Sequence, residues 1–207
     1  MTELIVATKN AGKVKEIREI LSAAEVEVKC LEDLPDTYAL IEDGRTFEEN
    51  AAKKAIPVSR VYPRVWTAGE DSGLEVDALD GAPGIFSKRY SGADATDQKN
   101  NEKLLAALRG LPPQQRTARY RCCVVLARAG RAVKVCEGVL EGVIAVSPQG
   151  NGGFGYDPIF SLPEYGKTIA QLSSAEKNAV SHRGRAFEKV RDFLQGSGGR
   201  QEIRGKE

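Results

Sequence analysis

Two acidic residues stand side by side at Glu70 and Asp71, followed at once by Ser72 and Gly73. The apolar run Val65-Trp66-Thr67-Ala68 leads into them and predicts a short buried strand ending at the acids. In open α/β sheets, ligands collect beyond the carboxyl ends of strands. Two carboxylates at such a tip repel each other unless a cation or a proton lies between them. The pattern points to a divalent metal, Mg²⁺, working on a phosphate. The competing reading is an acidic strand-to-turn junction, solvated and inert. Downstream, Gly81-Ala82-Pro83-Gly84 asks for special backbone angles twice in four residues, which predicts a shaped loop and favours the site.

Cationic residues are placed to meet such a phosphate. Lys9-Asn10-Ala11-Gly12-Lys13 lies between an apolar run, Glu3 to Thr8, and a helical pattern with Val14, Ile17, Ile20 and Leu21 on one face. A strand, a tight turn and a helix N-terminus present backbone N–H groups to an anion. Lys9 and Lys13 add positive charge where the helix dipole disfavours it, a cost that a bound anion relieves. Two solvated lysines are the plain alternative. The stretch is no P-loop, because its first glycine is absent and Val14 stands where Ser or Thr would bind metal. Further on, Thr46-Phe47-Glu48-Glu49 forms a capping box. It opens a helix with Phe47, Ala51, Ala55 and Val58 as its apolar stripe. Lys54 flanks that stripe and either snorkels to water or reaches a phosphate or an attacking water. Asn50 could position a polar group, and Pro57 should kink or end the helix, leaving 60–63 as a link.

Residues 150–160 are the second unusual stretch, with glycines around Phe154 and Tyr156. Glycines permit close approach, and aromatic rings offer a surface on which a planar base can stack. Asp157 could accept hydrogen bonds from a base or a sugar. The alternative is a glycine-rich turn with both rings in the core. Ser173-Ser174-Ala175-Glu176 is another capping box, followed by an apolar stripe reaching Leu194. Arg183 falls on that stripe and, if buried, wants an acceptor; Gly184 would weaken this if it broke the helix. Lys177, His182 and Arg183 form a compact donor set.

The remaining pattern supplies the scaffold. The chain has 207 residues, enough for one domain with a proper core, or two lobes sharing a sheet. The net charge of +1 makes no electrostatic case for nucleic acid or membrane. No apolar run approaches the roughly 20 residues of a spanning helix, and the opening residues lack a signal pattern, so a cytoplasmic location is expected. One histidine and no CxxC pair exclude the usual zinc sites. Any metal then relies on oxygen ligands, which favours magnesium or manganese. Strands are expected at 25–30 and a long hairpin at 116–147 turning at Ala129-Gly130. Between them, 31–45 reads as a polar connection and 97–108 as a helix. The hairpin suggests a second lobe or a dimer face rather than chemistry. Arg116, Arg119 and Arg121 read as a solvated strand face. A domain over 1–195 and a flexible tail over 196–207 complete the expected organisation.

Taken together, Ala7 to Lys13, Thr46 to Ala51, Glu70 to Leu74, Gly81 to Ile85, Gly153 to Pro158 and Ser181-His182-Arg183 resemble one family. It is the inosine triphosphate pyrophosphatase family, the dITP/XTP pyrophosphatases that remove noncanonical purine nucleotides. The resemblance runs from about Leu4 to Leu194 in order. It implies an α/β fold: a long mixed central sheet flanked by helices, two lobes with an active-site cleft between them, and a homodimer. It implies hydrolysis of ITP, dITP and XTP to the monophosphate and pyrophosphate with Mg²⁺, Mn²⁺ being a possible substitute.

By motif, Thr8, Lys9, Asn10, Ala11, Gly12 and Lys13 are expected to hold the triphosphate. Asp71 is the expected general base and metal ligand, with Glu42 and Glu70 as the other metal-site acids. Lys54 contacts phosphate or water. Ser72, Phe154, Gly155, Tyr156, Asp157, Lys177, His182 and Arg183 contact the nucleotide. Bacterial members often carry two aspartates where this chain has Glu70-Asp71. Two rival functions stay in view: a nucleotide sensor without catalysis, and a Maf-type pyrophosphatase acting on modified pyrimidine nucleotides. The latter would open with a loop rich in Ser, Pro and Arg, which Thr8-Lys9-Asn10 is not.

Overall fold

The computed structural model describes residues 1–35 and 39–196. From 197 on, the expected tail lies outside the described residues, as do residues 36–38 of the polar connection.

Seven strands among the described residues form a mixed sheet in the order β2-β1-β3-β4-β5-β6-β7. They are β1 (Thr2–Val6), β2 (Val26–Cys30), β3 (Trp66–Val76), β4 (Thr117–Arg128), β5 (Arg131–Ile144), β6 (Phe160–Leu162) and β7 (Lys167–Thr168). β1 pairs parallel with β2 and with β3, whereas β6 pairs antiparallel with β5 and β7. Two residues join β4 to β5, a link short enough only for an antiparallel hairpin; both residues take positive φ, Ala129 at 48° and Gly130 at 78°. The helices are α1 (Ala11–Ile20), α2 (Phe47–Val61), α3 (Asp97–Ala107), α4 (Ser174–Val180) and α5 (His182–Gln195).

The chain divides into two compact units. The first contains the described residues of 1–71, 122–138 and those from Arg183 on. Here strand alternation sorts the core. Leu4, Val6, Trp66, Ala68, Cys122, Val124 and Leu126 pack with Ile17 of α1 and with Phe187 and Val190 of α5. Their odd-numbered neighbours turn to the other face: Ile5 and Ala7 pack with Val58, and Val125 and Ala127 with Ala51 and Ala55, all three partners on α2. Successive strand residues point to opposite faces, so this split is what a two-sided buried sheet requires. The second unit holds 72–121 and 139–182. Its core joins Leu74, Val76, Tyr120, Leu140 and Ile144 to Leu104 and Leu108 of the α3 segment and to Tyr156, Ile159 and Phe160.

Several local expectations give way. β3 does not stop at the acids but continues to Val76. Glu70 and Asp71 are therefore mid-strand, held there by pairing that a local reading cannot see. α2 runs through Pro57 to Val61, so Arg60 and Val61 are helical rather than a link. Proline removes one helical hydrogen bond, and burial of Ala51, Ala55 and Val58 on the sheet outweighs that loss. The stripe expected after Ser173 belongs to two helices broken at Ser181, which caps α4 with extended angles; Gly184 lies inside α5. Arg116 is buried, not solvated. Its guanidinium donates to the carbonyls of Leu108, Ile144 and Ala145 at 3.1, 2.8 and 2.7 Å, which satisfies a charge the solvent no longer reaches.

Candidate active site

Helix α1 starts where the cap residues allow. Asn10 Oδ1 accepts from the Lys13 N–H at 3.1 Å, and Thr8 Oγ1 accepts from the Asn10 N–H at 3.1 Å. No acidic residue stands in the first turn. The loop Thr8 to Lys13 thus presents a positive helix end, with Thr8 buried and Lys9 exposed.

Glu70, on the even face of β3, is fully enclosed. Lys13 Nζ meets its Oε2 at 2.8 Å, Arg183 Nη2 meets its Oε1 at 3.0 Å, and Cys122 Sγ lies 3.5 Å from the same oxygen. Arg183 is bound on its other side to Glu16 at 2.6 Å. Burial opposes the charge on Glu70, but Arg183 and then Lys13 overcome it and hold the carboxyl well below the ordinary range. Burial and then Glu70 push the Cys122 thiol well up, so it sits there protonated as a donor.

Asp71 faces α2. Asn50 Nδ2 donates to its Oδ2 at 3.0 Å and Lys54 Nζ to its Oδ1 at 2.9 Å. Asn50 and Lys54 are one helical turn apart, so both reach the same carboxylate. Gly69 makes this possible: a Cβ there would stand 2.0 Å from the Ala51 carbonyl. Asn50 Oδ1 also accepts from the Gly44 N–H at 2.8 Å, drawing in the segment that carries Glu42. Glu42 Oε1 is 2.7 Å from Lys54 Nζ. Burial works against that ammonium, and Asp71 and Glu42 overcome it, raising the pKa of Lys54. The helix start differs slightly from the expected box. Thr46 caps the Glu49 N–H, but Glu49 accepts from the Arg45 N–H rather than from Thr46.

The sequence-predicted metal acids therefore fall into two groups. Glu42 and Asp71 converge on one cationic centre, whereas Glu70 points to the opposite side with its own cations. Hard oxygen donors converging on a cation fit Mg²⁺, which takes one or two carboxylates and completes its shell with phosphate and water.

In the second unit buried polar groups gather around Asp157. Its Oδ2 accepts from Lys177 Nζ at 2.6 Å and from the Phe154 N–H at 2.9 Å; Tyr120 Oη lies 3.3 Å from Oδ1. Gly153, at φ 73°, has no room for a Cβ, which would fall 2.0 Å from Asp157 Oδ2. The Lys177 ammonium lies 4.6 Å from the centroid of the Phe154 ring. His182 stacks on Tyr120 with centroids 4.6 Å apart and planes 9° apart. Gly155 is pinned to α3: its N–H donates to Asp97 at 2.7 Å and its carbonyl accepts from Asn101 at 3.0 Å. Tyr156 is a core residue whose hydroxyl donates to the Ser87 carbonyl at 2.8 Å, so it offers no stacking face. Asp157 is 3% exposed and spends its oxygens within the protein. Ser72 continues β3, half-buried.

The hairpin, expected to have no part in chemistry, places Tyr120 beside Asp157 and Cys122 beside Glu70. Asp97, Asn101, Glu16 and Gly69 join these contacts without belonging to any motif that points to them. Gly69 beside two acids in a buried strand was the one local signal available, since glycine there marks close backbone approach.

A model of the Ham1 family matches residues 4–193. The chain is similar to the dITP/XTP pyrophosphatase of Geobacillus kaustophilus, 50% identical over 190 residues, 92% of this chain and 93% of that protein. It is 46% identical to the protein of the same name from Bacillus subtilis over 195 residues, 94% of this chain and 98% of that one. Among solved structures it is similar to the Staphylococcus aureus Ham1 protein, with TM-score 0.83 and 37% identity over 95% of this chain and 100% of that chain. It is likewise similar to a HAM1 protein from Coxiella burnetii, with TM-score 0.81 and 39% identity over 94% and 98%.

Proposed function

The chain belongs to the Ham1 family, and from that premise we propose that it hydrolyses noncanonical purine nucleoside triphosphates, namely ITP, dITP and XTP. The products are the monophosphate and pyrophosphate, so the enzyme clears these nucleotides from the cellular pool. The observation that carries the chemistry is the grip of Asn50 and Lys54 on Asp71 in the middle of β3. Charged groups are rarely left in a buried strand unless function keeps them there.

Thr8, Lys9, Asn10, Ala11, Gly12 and Lys13 take the phosphate chain through backbone N–H groups and ammonium charge. Asp71 orients a water toward the α-phosphorus and accepts its proton. A general base must lie within hydrogen-bond reach of the water it takes a proton from, so placement of the water is the first requirement. Asn50 holds the carboxylate in register for this through Oδ2, leaving lone pairs for the water. Lys54 and Lys13 offset charge on the departing pyrophosphate. Glu42 and Asp71 are the acids that would hold Mg²⁺; the Glu70 carboxylate lies on the other face of the strand with Lys13 and Arg183. When bound, Mg²⁺ neutralises phosphate charge and lowers the pKa of a coordinated water.

Base selection is assigned to the second cluster and to Arg183. Phe154 supplies a ring for stacking, with the Lys177 ammonium beside it as a donor, and His182 on Tyr120 supplies another. A donor bonds the 6-keto oxygen of hypoxanthine or xanthine but not the 6-amino group of adenine, and a buried donor left unpaired discriminates strongly. Arg183, already bound to Glu16 and Glu70, is assigned as a further such donor. A homodimer in the cytoplasm completes the reading.

The test is pyrophosphate release from ITP, dITP, XTP, GTP and ATP, with and without Mg²⁺ and with Mn²⁺ in its place. Fast, metal-dependent release from the first three is expected. Binding without release would make the protein a sensor, and equal rates with ATP would remove the assigned selectivity. Light scattering after gel filtration tests the dimer.

A further inference from the structure

The side chain of Lys54 is only 3% exposed. Its ammonium meets three oxygens: Glu42 Oε1 at 2.7 Å, Asp71 Oδ1 at 2.9 Å and the Glu70 carbonyl at 3.0 Å. An ammonium has three N–H donors, and here each has an acceptor. Three hard oxygens around one positive centre are also what a divalent cation asks for.

We propose that Lys54 is an internal counter-ion that holds the divalent-cation position in the nucleotide-free enzyme and yields it when a triphosphate arrives. This rests on the reading above that Glu42 and Asp71 take the metal. A metal that takes these same three oxygens competes with the ammonium for them, and in this proposal displaces it. The helix cannot retreat to make room toward the sheet, because Ala51 and Ala55 of α2 already press on Gly69, where a Cβ would stand 2.0 Å and 2.8 Å from their backbone atoms. Lys54 must therefore swing on its own stem. A displaced ammonium needs a new anion, and a triphosphate carries several. Metal alone is opposed by the ammonium, whereas metal with triphosphate is not. By reciprocity, the triphosphate strengthens metal binding by the same factor as the metal strengthens triphosphate binding.

The test titrates Mn²⁺ into nucleotide-free protein and follows free Mn²⁺ by electron paramagnetic resonance. Wild type, Lys54→Met and the double variant Lys54→Met with Glu42→Gln are compared. Removing the ammonium leaves two facing carboxylates, so Lys54→Met should bind Mn²⁺ at least roughly tenfold more tightly than wild type. The double variant should lose that gain. Binding by Lys54→Met that is no tighter than wild type overturns the proposal. Should that variant fail to fold, wild type decides alone. After subtraction of the Mn²⁺ that the nucleotide chelates in free solution, Mn²⁺ affinity of the protein should rise at least roughly tenfold when an α,β-methylene analogue of ITP is present, and no rise overturns the proposal. Neither titration measures turnover, so a protein that releases no pyrophosphate but shows the Mn²⁺ gain loses only the enzymatic reading. One that releases pyrophosphate without the gain loses only the counter-ion.

Discussion

Glu70 and Asp71 are neighbours in β3 whose side chains leave the strand on opposite faces, one toward Lys13 and Arg183, the other toward Asn50 and Lys54. The two carboxylates thus do not form one acidic patch. Each is neutralised by its own helices, Glu70 by α1 and α5 and Asp71 by α2. Glu70 anchors Lys13 of α1 and Arg183 of α5, while Asp71 is held by Asn50 and Lys54.

Asp71→Asn should preserve the fold and lower kcat by about 10²- to 10⁴-fold, the range of one lost acid–base group. The amide keeps one acceptor for Lys54 or Asn50, so far-ultraviolet circular dichroism should match wild type. Steady-state kinetics with ITP measure the drop; an unchanged kcat removes Asp71 from the mechanism.

Glu70→Gln should cost stability first. Removing one partner of a buried ion pair leaves the others uncompensated, a loss of about 3–5 kcal/mol. The pH dependence has a defined sign. A carboxyl held below its unfolded value of 4.5 contributes stability that is complete above that value and is lost as pH falls through the lower folded value. Urea melts from neutral pH downward should show an acid-labile component in wild type, below the ordinary carboxylate range. That component should be diminished in the variant, and identical acid limbs would show that Glu70 is not the group responsible.

Gly69→Ala tests how α2 is docked. The added Cβ meets backbone, not a flexible side chain, so the helix must move. Overpacking of this kind costs about 1–3 kcal/mol. Because Asn50 and Lys54 ride on the same helix, kcat should fall with the urea midpoint. A fully active variant would mean that the Asp71 geometry tolerates the shift.

Tyr120→Phe separates two roles of one ring. It keeps the stack on His182 and removes the hydroxyl near Asp157. KM for ITP should rise a few-fold, about the ~1 kcal/mol of one hydrogen bond, with kcat little changed. Tyr120→Leu should also shift the imidazole resonances of His182, which are unambiguous because the chain has one histidine. Unmoved resonances would show that the stack does not hold His182.

Features decided by nearby residues were legible in the sequence. Thr46 and Ser173 cap helices because a side-chain oxygen three residues ahead of an orphan N–H satisfies it locally. Gly81 and Gly84 take the positive φ that their spacing announced. The two-residue turn at Ala129-Gly130 could join only a hairpin. The motifs were also sufficient to point to the family that the comparisons then showed.

What the sequence alone determined about this protein is therefore the capped starts of α2 and α4, its turns, most of its hydrophobic faces and its family. Tertiary structure decided which charges meet. Arg183 bonds Glu70 across 113 positions of chain, and Tyr120 reaches Asp157 across 37. It also decided that β3 passes through the acids, because a strand's length is set by the neighbours it pairs with rather than by its own residues. Local propensity acts over a few residues, whereas ion pairing and strand pairing act between segments brought together only when the chain has folded.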